Sequence, residues 1–274
     1  MKEVESKHPP GVIGIPMATH ARYTGVFYDL DALHVPLGTK LIIASGVNVA
    51  YNCNNIVKAM TPEHEWLWIL GDDHRFEPET LLALLARDAA VVVPVVCRRG
   101  APFQTVLYRV ASTEHGSFLT YSWGDLTRHF PNGGVGPVDA AGTAGMLIRS
   151  HVLAAVGDPW FDWGKTVSED IGFCLKARAK GYEILVDTDQ RLTHTTNCEL
   201  LPYRDKSGAW NVAAQVGDYS VSLLNPSAEK GDPREFTIGR RSGESTWLRE
   251  GRAPEIRDVS PGGENGTRDS VSSS

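Results

Sequence analysis

The residues best equipped for chemistry fall in three short runs: Leu70-Gly-Asp-Asp-His-Arg-Phe76, Ser168-Glu-Asp170 and His194. In the first, an apolar stretch ends in two adjacent carboxylates and an imidazole, and a helix-forming stretch follows. Carboxylates at the end of a sheet strand can hold a hard divalent cation, and such a cation can neutralise a diphosphate. The competing reading is that Asp72 and Asp73 cap the next helix, since strand ends often carry Asp as a turn residue. Glu169 and Asp170 open another helix, where the macrodipole favours acidic side chains whatever their use. A lone histidine such as His194 is more often structural than a ligand. The three runs in this order are far more specific than any one of them.

Such groups need a scaffold, and the first two-thirds of the chain supplies an alternating one. Val12–Ala18 reads as a short buried strand. Lys40–Ala44 is a second, leading through Ser45-Gly46 into a helix in which Val49, Cys53, Ile56, Val57 and Met60 recur at helical spacing. Trp66–Leu70 is a third strand, followed by a helix starting at Pro78 with Leu81, Leu82 and Leu85 on one face. Ala90–Val96 is a fourth. Strands alternating with helices predict an α/β domain with a mainly parallel sheet. In an open sheet of that kind, ligands bind at the carboxyl ends of the strands, where Asp72 and Asp73 stand.

After Phe103 the pattern changes. Gln104–Val110 and Ser117–Trp123 read as a strand pair, Pro131–Pro137 as a loop, and Glu183–Val186 as a further strand. The helix beginning near Ser168 has Gly181 for its cap. Gly208–Gln215 reads as a helix, and residues 251–274, rich in Gly, Ser, Pro and charge, as a disordered tail. Arg98-Arg99 could reach a phosphate or an acidic acceptor, with a solvated loop pair as the alternative. Trp160, Phe161 and Trp163 could form a stacking wall for a sugar, or pack in the core. Tyr203 and Trp210 are placed to belong to a lid.

Composition sets the outer bounds. The chain has 274 residues, 42% of them apolar and 22% charged, which is ordinary for globular proteins. A net charge of −6 argues against a general nucleic-acid binder. No run approaches the roughly 20 apolar residues of a membrane span, and the amino terminus is polar, so the expectation is a cytoplasmic protein without an integral membrane segment. Cys53, Cys97, Cys174 and Cys198 lack any CxxC spacing, which argues against a cysteine zinc site, and three of the four sit in apolar patterns that predict burial.

From Gly11 to Asn197 these features resemble the A-fold (GT-A) nucleotide-sugar glycosyltransferases of the large family-two type. The quoted elements are the strand and polar turn at Ile13–Thr19, the helix with Asn55, Gly71-Asp72-Asp73, the small-residue stretch Gly142–Met146, Ser168-Glu-Asp170 with Arg178 and Gly181-Tyr182, and His194. Asp72-Asp73-His74, Trp163-Gly164 and His194 are also similar, in the same order, to the polypeptide N-acetylgalactosaminyltransferases. Gly71 stands where a strict Asp-x-Asp motif has its first Asp, and Asn54 where an Arg often precedes the helix Asn.

The resemblance implies a Rossmann-like, mainly parallel sheet flanked by helices, with a small acceptor-side hairpin and a C-terminal appendage. It divides the chain into a catalytic domain at 11–200, an extension at 201–250 and a tail at 251–274. It implies metal-dependent transfer of a sugar from a nucleoside diphosphate, expected to be UDP, to an acceptor hydroxyl. Mn²⁺ or Mg²⁺ would be held by Asp73 and His194 with His74 as a third candidate; in the Asp-x-His register, Asp72 and His74 would both be ligands. Pro16, Thr19, Asn55, Asp72 and Gly142 fall on the donor side. Asp170, with Glu169 beside it, is the candidate general base. The acceptor stays open among protein, glycan, small molecule and modified nucleic acid base. The alternatives are a sugar nucleotidylyltransferase and a non-catalytic binding module on the same fold.

Overall fold

The computed structural model describes residues 1–17, 23–99, 103–112, 117–162, 167–204, 210–216, 219–223 and 236–240. The chain divides into two compact units, Met1–Thr196 and Asn197–Ser274.

The first unit is built on a seven-stranded sheet. Its spatial order is Val135–Val138, Ile184–Arg191, Val91–Val95, Met146–Arg149, Trp66–Ile69, Val12–Met17 and Lys40–Ser45. Val12–Met17 runs parallel to both of its neighbours, and Ile184–Arg191 runs parallel to Val91–Val95. Met146–Arg149 is antiparallel to the strands on either side of it, and Val135–Val138 is antiparallel to Ile184–Arg191. The sheet is therefore mixed, where the sequence pattern predicts a mainly parallel one. A strand buried on both faces is apolar along its whole length whichever way it points, so its pattern carries no direction.

Side-chain alternation sends each strand's residues to opposite faces. Leu67 and Ile69 join one buried cluster, with Cys53 and Ile56 from the Val49–Lys58 helix and Phe173 and Cys174 from the Glu169–Ala179 helix. Trp66, Trp68 and Leu70 join the other, with Val26 and Leu30 from the Thr24–Ala32 helix and Leu81, Leu84 and Leu85 from the Thr80–Leu85 helix. Helices thus cover both faces, and each fully buried large side chain contributes roughly 1.5–3 kcal/mol. Close approach is required at Gly14, where an added Cβ would sit 2.6 Å from Ile56 Cγ2.

Local readings fare unevenly. Leu107–Ser112 and Ser117–Thr120 pair antiparallel and join Ala140–Ala141 in a small sheet. The chain then turns into a helix over Trp123–His129, begun by a capping box between Ser122 and Asp125, so Trp123 is helical where the pattern predicts strand. Val135–Val138 is an edge strand where Pro131–Pro137 reads as a loop; Gly and Pro are tolerated on an edge whose outer side needs no partner. Of the cysteines, Cys53 and Cys174 are buried, Cys97 is half-buried and Cys198 is exposed. No helix of the described residues is long and apolar enough to cross a membrane.

The second unit is an antiparallel meander of Glu199–Arg204, Trp210–Val216, Tyr219–Leu223 and Phe236–Arg240. The helix predicted over Gly208–Gln215 is thus corrected to a strand. Pairing on both sides, with Glu199–Arg204 and Tyr219–Leu223, prevails over the helix propensity of Ala213-Ala214. The tail at 251–274 lies outside the described residues.

Candidate active site

The site forms where the Trp66–Ile69 strand leaves the sheet. Gly14 O accepts from Leu70 N at 2.9 Å and Ile69 O from Gly145 N at 2.9 Å, so the strand is held until the chain turns at Gly71. Beyond the turn, His74–Arg75 pairs antiparallel with Thr193–His194, placing His194 directly opposite His74. Asp73 O accepts from Thr195 N at 2.7 Å, which closes the same junction. A two-residue ladder thus carries a residue 120 positions downstream to the end of the strand.

His194 Nδ1 lies 2.7 Å from Cys97 O. A carbonyl can only accept, so Nδ1 carries the proton, and Nε2 is left facing Asp73 Oδ2 at 3.2 Å. In the neutral ring that nitrogen is a lone pair aimed at a carboxylate, an arrangement satisfied by a proton or by a cation between them. His74 is buried, at 4% exposure, and its ring stacks on that of His194 with centroids 4.3 Å apart. Its Nδ1 is 2.9 Å from Asp73 Oδ1 but lacks the angle for a hydrogen bond, and its Nε2 has no hydrogen-bond partner among the described residues. Burial pushes the Asp73 carboxyl up, but the His194 and His74 imidazoles outweigh it and hold it well below the usual carboxylate range. Asp73, His74 and His194 offer ligand atoms that all lie within 4.8 Å of one another. A buried imidazole nitrogen left without a hydrogen bond is costly unless something binds it. This donor set fits a divalent metal ion.

These residues line a cleft of about 600 Å³. Of the donor-side and catalytic candidates, Pro16, Asp72, Glu169 and Asp170 also line it. Gly142 sits behind Thr143 and Ala144 in the wall; a Cβ there would lie 3.5 Å from Asp170 Oδ2. Asn55 is half-buried on its helix and is not among the lining residues. Thr19, Trp163 and Gly164 lie outside the described residues. Asp72 lines the cleft but stands apart from the three-residue ligand group.

The acidic pair begins the Glu169–Ala179 helix. Asp170 Oδ1 accepts from Ile171 N at 2.7 Å and from Ser168 Oγ, so one oxygen is fixed and the other faces Gly142. Glu169 is 7% exposed, and burial, then Asp170, push its carboxyl up; its Oε2 has no hydrogen-bond partner among the described residues. Behind them the Cys174 thiol is pushed up to about 12, mainly by burial, which makes it an inert core residue. Phe161 is core, stacked on Phe173 at 4.8 Å, rather than part of an open sugar-stacking wall.

Several site residues had no distinguishing signal in the sequence. Cys97 acts through its carbonyl, which any residue would supply. Asn54 holds both backbone groups of Phe161, accepting from its N at 3.0 Å and donating to its O at 2.6 Å, and so pins the segment leading toward the acidic pair. Arg99, by contrast, belongs to the Arg98-Arg99 pair that the sequence singles out, and it reaches Asp73 Oδ2 at 3.2 Å.

No family model and no curated protein matches the sequence. Similar solved structures do exist. GalNAc-T7, crystallised with UDP, GalNAc and Mn²⁺, superposes with a TM-score of 0.50 at 11% identity over 70% of this chain and 45% of its own. A197 from STIV gives 0.48 at 14% over 69% and 87%, and S. aureus TarS gives 0.45 at 15% over 69% and 37%. The likeness to GalNAc-T7 is one of fold: the chain has a GT-A-like glycosyltransferase fold, and its ligand cluster stands at the end of a central strand of that fold.

Proposed function

We propose that this chain is a glycosyltransferase that moves a sugar from a nucleoside-diphosphate donor, UDP-linked, to an acceptor hydroxyl, with a divalent cation at Asp73, His74 and His194. The observation that carries the reading is that three-residue cluster in a cleft shared with the Glu169-Asp170 pair. The GalNAc-T7 structure, which contains UDP and Mn²⁺, lends support from the same fold. Two imidazoles among three ligands favour Mn²⁺ over Mg²⁺. The cation would neutralise charge developing on the departing diphosphate, where a proton donor would serve less well.

The chain's own residues divide the remaining work. Cys97 O fixes the tautomer and orientation of His194. Pro16 and Asp72 line the donor side. Asp170 receives the proton of the acceptor hydroxyl on its second oxygen while Ser168 and Ile171 N hold the first. Glu169 is buried beside it, and its own carboxyl is pushed up by burial and then by the neighbouring Asp170 charge. The acceptor is a hydroxyl-bearing molecule of unassigned class.

A thermal-shift series of nucleotide sugars with and without Mn²⁺ tests this. A UDP-sugar should raise the melting temperature only with the metal. Asp170→Asn should retain that shift and lose transfer. Equal stabilisation with and without metal, or wild-type transfer by Asp170→Asn, contradicts the respective assignment.

A further inference from the structure

The cleft wall holds four carboxylates, Asp72, Asp73, Glu169 and Asp170, and Arg99 is the one Lys or Arg among its described lining residues. That arginine is bound to the residue a cation would need. Asp73 Oδ2 is shared between His194 Nε2 and Arg99 Nη1, each at 3.2 Å. The two partners differ in freedom. The Asp73 side chain is 13% exposed and held by the His74–His194 junction, whereas that of Arg99 is 57% exposed.

A guanidinium and a divalent ion at one carboxylate oxygen repel each other, so a metal arriving at Asp73 Oδ2 competes with Arg99 and favours its departure. A diphosphate entering this cleft meets four carboxylates, and the metal offsets only part of that charge. The displaced arginine is the one group among the described lining residues with the planar, forked donor geometry that matches phosphate oxygens.

We infer that Arg99 is an exchangeable counter-ion: it neutralises Asp73 in the metal-free protein and moves to the donor diphosphate when a divalent cation takes its place. This rests on the metal-site reading above. The exchange makes metal and donor binding mutually supportive, because Mn²⁺ releases the arginine that UDP uses and UDP holds that arginine away from the metal.

The test uses the full chain with Arg99→Ala and Arg99→Lys, and with Mn²⁺ alone, UDP and uridine as probes. The two roles predict effects of opposite sign. Without the competing guanidinium, Arg99→Ala should bind Mn²⁺ about threefold more tightly than wild type. At saturating Mn²⁺ it should bind UDP roughly tenfold more weakly, with uridine, which has no phosphate, unchanged. Arg99→Lys should leave Mn²⁺ affinity near wild type and recover part of the UDP affinity. Mn²⁺ affinity unchanged or weakened in Arg99→Ala overturns the counter-ion role, and unchanged UDP affinity overturns the diphosphate role. Wild-type protein that binds no Mn²⁺ removes the metal site and the exchange with it; wild-type binding matched by Arg99→Ala removes the exchange alone. Arg99 is exposed enough for its variants to fold, and Arg99→Gln gives an independent neutral replacement.

Discussion

Two adjacent carboxylates precede His74, and substituting each in turn separates their roles. Asp73 touches both imidazoles, through Oδ1 at 2.9 Å to His74 and Oδ2 at 3.2 Å to His194, whereas Asp72 lies outside the ligand group. Asp73→Asn preserves the size of the side chain and one oxygen acceptor but removes the charge. With neutral imidazoles the three-residue set then changes from −1 to 0, and a dication is left with no anionic ligand. Loss of a group that merely orients a ligand costs about 10–100-fold in metal affinity. Loss of the charged ligand itself should reach at least the upper end, ~100-fold, or about 2.7 kcal/mol. Asp72→Asn should change Mn²⁺ affinity less than about threefold while weakening UDP binding. Isothermal titration with Mn²⁺, followed by UDP at saturating metal, reads both quantities. Equal losses of Mn²⁺ affinity in the two variants, or a larger loss in Asp72→Asn, would refute the geometry and restore the Asp-x-His register.

Two further outcomes concern the scaffold and the acidic pair. Asp187 is fully buried and is held bidentately by Arg87, Nε to Oδ2 at 2.8 Å and Nη2 to Oδ1 at 3.2 Å. Arg87→Met should therefore lower unfolding free energy by about 3 kcal/mol in urea denaturation, because it leaves the buried carboxylate with its Asp189 N contact but no counter-charge; a change below ~1 kcal/mol would show that Asp187 does not depend on the Arg87 charge. Glu169 has its carboxyl pushed up by burial and by Asp170, so the folded state favours its protonated form. Stability should fall as pH rises from the unfolded Glu value through the folded one, and then level off. Glu169→Gln should remove that segment of the stability–pH curve and stabilise the protein at neutral pH, by an amount of order 1 kcal/mol set by the unpartnered Oε2. An unaltered pH curve would show that Glu169 has no raised proton affinity.

The parts legible in the sequence are those whose signal is local. Trp66–Leu70 is apolar at every position and ends in charge, so both the strand and its functional end can be read from a few residues. The same holds for the helix carrying Cys53, Ile56 and Val57 and for the acidic start at Ser168-Glu-Asp170. Strand direction is not local. Met146–Arg149 runs against both neighbours because of the route the chain takes between them, and nothing in Met-Leu-Ile-Arg records that route. The partnership of His74 with His194 depends on a two-residue ladder too short for any period. Asn54 and Cys97 act through contacts that only the folded chain creates, and Asn55, singled out by resemblance, stays outside the cleft lining.

Gly71 stands at the turn between the Trp66–Ile69 strand and the Asp73-His74 pair. Read as a motif, it is a departure, a glycine where an Asp-x-Asp pattern has its first carboxylate. Read as geometry, it is required: a Cβ at this position would overlap His74 Nδ1 and approach Asp73 Oδ1 to 2.9 Å. The His74 ring occupies the space that a side chain at position 71 would need. A side chain at 71 and the buried His74 ring are therefore alternatives, and this chain has the second. The consequence extends to charge. The proposed use of an imidazole at 74 leaves Asp73 as the sole anion in the ligand set, so a metal bound there would retain more positive charge to offer a diphosphate. It also leaves Asp73 as the point at which Arg99 and a cation must compete.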